Sequence, residues 1–171
     1  MHGLLTAARL RSRVDTQRGF DHGLFVPLLL MYPQAEIPCI QLSLLKSLNP
    51  SAHIALGKAL APLRRERALI VGSGFSFHNM RAFFTNPHGT PDQGNESFQQ
   101  WLIETCTASS LSPGEREQRL ADWEKAPHAR YCHPREEHLL PLHVCYGMAQ
   151  TQAQLVFDDQ VLGKRACALL W

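Results

Sequence analysis

The order of elements between residues 37 and 71 constrains the fold more than any other feature of this chain. Ile37-Pro38-Cys39-Ile40-Gln41-Leu42-Ser43-Leu44 alternates in the manner of a strand. Asn49-Pro50-Ser51 then opens an Ala/Leu-rich helix that reaches about Arg65, with Asn49 or Ser51 as its cap. Arg67–Val71 (RALIV) follows as a short, continuously apolar strand and stops at Gly72-Ser73-Gly74. Strand, helix, strand is a βαβ unit, which requires parallel pairing inside a sheet covered by helices. The expected class is α/β, with a central mixed, partly parallel sheet flanked by helices.

Around this unit the pattern is mostly helical. Residues 4–14 carry apolar positions at helical spacing, with Arg9, Arg11 and Arg13 on the other face. Asp15–Gly23 reads as a turn-rich loop, Leu24–Met31 as a helix and Thr85–Gly94 as a loop. Ser97–Ser109 and Pro113–Lys125 read as amphipathic helices with Trp101 and Trp123 in the core. A helix starting near Pro134 places Glu136 and Glu137 in its first turn and His138 one turn in, and Pro141 should kink or divide it. In the tail, Gln154–Phe157 and Ala166–Trp171 read as two strands joined near Asp158, Asp159 and Gly163.

Bulk properties exclude several classes. At 171 residues the chain suits one domain, 1–171. A formal net charge of +2 gives no electrostatic case for nucleic acid, and no Lys/Arg run suggests an anionic membrane surface. Cys39, Cys106, Cys132, Cys145 and Cys167 form no CxxC pair, so reduced thiols are expected rather than a disulfide frame. The longest apolar run, Leu24–Tyr32, is too short for a membrane span and contains Pro27. No signal-peptide pattern accompanies the N-terminal arginines, so the cytoplasm is the expected location.

Three segments concentrate metal-competent or proton-transferring groups. Asp21-His22-Gly23 lies in a glycine-flanked loop that could present the imidazole to a ligand, or simply cap the next helix. His78-Asn79 follows Gly72-Ser73-Gly74 at the C-terminal end of the expected strand, where open α/β sheets place ligands; His78 reads as a metal ligand, a general base or a hydrogen-bonded loop histidine. The two glycines suggest a phosphate cradle, but no GxGxxG or GxxxxGK[ST] pattern follows. Residues 133–143 gather His133, Glu136, Glu137, His138 and His143. No HExxH occurs, which argues against a metalloprotease or zinc hydrolase, whereas two histidines with a carboxylate suit a non-haem iron site. His2, His53, His88 and His128 are expected at the surface.

RGFDHGLFVPLLLMYPQAEIPCIQLSL (18–44), ALIVGSGFSFHNMR (68–81) and HPREEHLLPLHV (133–144) together resemble the class III extradiol ring-cleavage dioxygenases, most closely the 4,5-DOPA dioxygenase-like branch. The resemblance implies an α/β fold with a mononuclear Fe(II) site, or Zn(II) in some members. It also implies a small catechol-type substrate opened next to the diol with both atoms of O2. By similarity, His78 and His138 match metal-binding positions, His78 also a general base, and His22 a histidine that contacts substrate or oxygen. No nucleic acid or membrane partner is implied; a homo-oligomer is possible.

The family's GHGSP-like and SAHW-like segments, each with a histidine ligand, do not occur here. The match therefore corresponds to roughly the last two-thirds of a full domain, with an N-terminal part missing. Two ligands fewer would weaken metal binding and impair catalysis. The alternative is a catalytically inactive remnant or binding module that keeps the dioxygenase fold.

Overall fold

A computed structural model describes residues 1–85 and 91–171. The elements in chain order are α1 (His2–Ala7), α2 (His22–Met31), α3 (Pro50–Leu60) with a 3-10 extension (Ala61–Arg65), α4 (Met80–Thr85), α5 (Gln93–Thr107), α6 (Pro113–Ala121) with a 3-10 turn (Trp123–Lys125), α7 (Ala129–Cys132), α8 (Leu140–Ala149), β1 (Gln154–Val161) and β2 (Lys164–Leu170). Most helix starts follow local chemistry. Asn49 Oδ1 caps α3 by accepting from the Ala52 amide, Asp92 caps α5 through Asn95, and Ser112 with Glu115 forms a capping box on α6.

The class is α/β, as expected, but among the described residues the sheet is a two-stranded antiparallel hairpin of β1 and β2. The parallel βαβ unit is not formed. Residues 37–44 and 67–71 run without strand pairing on either side of α3. A strand exists through its ladder, and alternation cannot supply a neighbour. Here coverage is partial: Leu42 packs against the cluster of Leu5 and Leu56, but Ile40 is 75% exposed and Leu69 63%.

Other boundaries shift for identifiable reasons. The first helix ends at Ala7 instead of continuing to residue 14, because Arg9 adopts a left-handed backbone (φ 58°). The expected helix from Pro134 is a series of turns. Pro141 has no N–H to bond the Glu137 carbonyl, so it sits in the first turn of α8 and starts that helix rather than kinking one. The expected Thr85–Gly94 loop lies outside the described residues at 86–90; its end, Gln93 and Gly94, opens α5. No helix among the described residues is long and apolar enough to cross a membrane.

The core gathers Ile54, Phe77, Phe98, Leu102, Leu120, Trp123 and Tyr146, while Trp101 packs against it half-buried. Leu5, Leu56, Leu60 and Met148 form a second cluster. Helices α3 and α8 cross at glycines: a Cβ on Gly57 would overlap the Val144 carbonyl, and one on Gly147 the Ile54 carbonyl. That crossing fixes α8, and with it the turn that carries His138.

Candidate active site

Three chain segments converge at the N-terminal ends of α2 and α8. Asp21 takes the N-cap position of α2, with His22 as the first helical residue. Gln41 grips Asp21 twice, accepting from its amide at 3.0 Å and donating to its carboxylate, so residues 37–44 tether the helix start. Gly23 lies close enough to Ser73 that an added Cβ would sit 3.6 Å from its hydroxyl.

The Gly72-Ser73-Gly74 segment is a seam, not a phosphate cradle. A Cβ on Gly74 would overlap the His138 carbonyl oxygen, and one on Gly72 would meet the Pro141 carbonyl at 3.0 Å. Only glycine permits this approach of two backbones. Its consequence is that the His78 and His138 rings stack face to face, centroids 3.4 Å apart and 15° from parallel.

Both rings are held below the ordinary histidine pKa. For His78 partial burial is the main cause; the neighbouring Glu137 carboxylate opposes it and the charge of His22 adds to it. For His138 burial again leads, then the charge of His78, with Glu137 opposing. Two imidazolium ions at this separation would repel, so the pair is neutral near pH 7 and offers lone pairs to a proton or a metal.

The remaining candidates of residues 133–143 are structural. His133 is fully buried between Phe98 and Trp123, with Nε2 2.9 Å from the Ser76 carbonyl, and burial pushes its pKa down to about 4. His143 is buried against the Leu139 and Leu120 carbonyls. Glu136 pairs with Arg130 at 2.9 Å and Glu137 with Arg135 at 3.0 Å. His53, expected at the surface, is buried, accepting from the Leu45 amide at 3.1 Å. His2 and His128 are exposed, and His88 lies outside the described residues.

Sequence reading missed the supports of the site. Gln99, from α5, donates to the Ser76 carbonyl at 2.7 Å, and Ser76 Oγ accepts from the Cys167 amide at 3.0 Å. Lys164 is buried against Asp92 at 2.6 Å, and Tyr131 donates to the same carboxylate. Asp92, expected within a loop, caps α5 instead, and no pattern marks Gln99 or Lys164.

The metal implied by the resemblance finds donors of the right kind but too few. His78 and His138 are neutral imidazoles, yet among the described residues no three His, Cys, Asp or Glu groups lie close enough to hold an ion. Two donors are short of the minimum of known mononuclear sites. The five cysteines are free, as expected.

Residues 2–164 match the family described as the catalytic LigB subunit of aromatic ring-opening dioxygenase. The chain is 37% identical over 170 residues to dioxygenase tasH of Hapsidospora irregularis, covering 92% of this chain and 51% of that protein. It is 38% identical over 165 residues to 4,5-DOPA dioxygenase extradiol of Beta vulgaris, covering 91% and 57%. The crystal structure of an uncharacterized Escherichia coli K12 protein superposes with a TM-score of 0.81 at 29% identity, over 98% of this chain and 69% of that one. The chain thus belongs to the class III extradiol, or LigB, dioxygenase family. It spans about half the length of the curated relatives it matches.

Proposed function

We propose that this chain acts in extradiol ring cleavage of a catechol-type, DOPA-like aromatic, inserting both atoms of O2 next to the diol. The observation that carries this is the neutral His78–His138 stack, 3.4 Å between centroids, at the junction of the family's signature segments. In this reading an unprotonated ring nitrogen of His78 takes a phenolic proton as general base. His22, at the start of α2, donates a hydrogen bond to the substrate or to oxygen. His138 holds the His78 ring in place, and the two imidazoles would together offer a divalent metal, Fe(II) or Zn(II), two of the ligands it needs.

A second reading is a catalytically inactive module that keeps the fold, and the shortage of a third donor favours it. Oxygen uptake with Fe(II) supplied separates the two. The dioxygenase reading expects catechol or DOPA, but not a monophenol, to consume one O2 per yellow ring-opened semialdehyde formed, and His78→Ala to abolish it. A folded sample that consumes no oxygen with any diol would leave the inactive module.

A further inference from the structure

Residues 72–79 have no sheet or helix of their own, yet they carry His78. A segment without a hydrogen-bond ladder must find other partners for its buried backbone groups. Here they come from three other parts of the chain. The Ser76 carbonyl, buried, accepts from Gln99 Nε2 of α5 at 2.7 Å and from His133 Nε2 at 2.9 Å. The Ser76 hydroxyl accepts from the Cys167 amide of β2 at 3.0 Å. Two residues on, the His78 amide donates to the Cys132 carbonyl at 2.9 Å.

Two donors on one carbonyl occupy both its lone pairs and fix the orientation of that peptide plane. The arrangement has a cost. To donate to a carbonyl, His133 must carry its proton on Nε2, and its Nδ1 is then a bare acceptor, buried without a partner among the described residues. Gln99 spends its amide N–H on the same carbonyl and leaves Oε1 buried and unpaired among the described residues. Each orphaned acceptor is unfavourable, and an apolar pair of the same size would avoid both. A core shaped for stability alone has no reason to keep two such side chains on one oxygen.

We propose that Gln99 and His133 are positioning residues: they clamp the Ser76 carbonyl, and the clamp sets the two-residue span to His78 so that its ring meets His138 face to face. This rests on the reading of the His78–His138 pair as the working centre. Neither residue touches the pair's reacting edge; both act through the backbone.

The test is NMR of the metal-free chain with 13C-labelled histidine, reading the Cε1–H signals of His78 and His138 and amide exchange at His78. In Gln99→Leu and His133→Phe the two signals should move toward those of unstacked imidazole. Exchange at His78 should rise about tenfold, as for the loss of one buried hydrogen bond, while α5 amides keep their protection. His133→Gln, which restores an N–H donor near the Nε2 position, should recover the stacked signals where His133→Phe does not. A folded Gln99→Leu with both signals and His78 exchange unchanged would overturn the proposal, as would His133→Gln behaving like His133→Phe. The readout needs neither metal nor substrate. A wild type that fails to cleave catechol would count against the function proposed above and leave these signals where they are.

Discussion

His133 makes the chain sensitive to acid. An unfolded histidine titrates near 6.5, and burial lowers the folded value to about 4. Between those values the unfolded chain binds more protons than the folded one, so stability is complete above 6.5 and is lost as pH falls toward 4. The shift corresponds to about 3 kcal/mol, and buried His143, also lowered, acts in the same direction. Urea unfolding at pH 7 and pH 4.5 should show the loss, and His133→Gln should flatten it; an unchanged slope in that variant would assign the acid sensitivity elsewhere. Lys164 is the second sensitive residue. Its side chain is 3% exposed against Asp92, and Lys164→Met leaves that mostly buried carboxylate with no cation, with an expected cost of about 3 kcal/mol in the same unfolding assay. Sequence alone separated these roles poorly. The resemblance to the dioxygenases singled out His22, His78 and His138, whereas on spacing alone His133 and His143 look equally metal-competent until burial and carbonyl partners are known.

The elements that matter most are held by close backbone approaches. Gly74 lets the 72–78 segment press on the His138 carbonyl, and Gly57 with Gly147 lets α3 cross α8. Gly57→Ala forces two helices apart and should cost at least about 2 kcal/mol in thermal or urea unfolding. Gly74→Ala acts locally instead, splaying the His78–His138 pair while the far core keeps its hydrogen-exchange protection; global loss of protection would contradict this. The helix starts at Asn49 and Pro113 were legible because capping and an N-terminal proline are local matters, whereas α5 begins at Gln93, four residues before the expected Ser97. The strands at 37–44 and 67–71 were not, since alternation records a wish to be half-buried and says nothing about whether a partner strand lies alongside. Pro141 misled for a related reason: the same missing N–H that breaks a helix also suits its first turn.

At the scale of the whole molecule, an unusual surface adjoins the site. Helix α2 is apolar on all sides and buries none of its residues. Leu30 is 82% exposed, and Ile40 and Leu69 extend the same apolar character along the unpaired segments. Exposed apolar side chains in this number favour association. Light scattering of the purified chain should rise with concentration, and Leu30→Lys with Ile40→Lys should suppress that rise without lowering the melting temperature. The family was legible from three separated segments, while the assembled donor set was not, because ligand count is a property of the folded chain. In the function proposed above, His78 and His138 act as one proton-accepting centre that would offer a metal only two ligands. Anaerobic Fe(II) titration of the wild type, His78→Ala and His138→Ala puts this to the test. Weak saturable binding that needs iron well above the protein concentration is expected, reduced at least about tenfold in either variant. Binding of equal strength in all three proteins, or tight stoichiometric uptake that survives loss of His138, would contradict it.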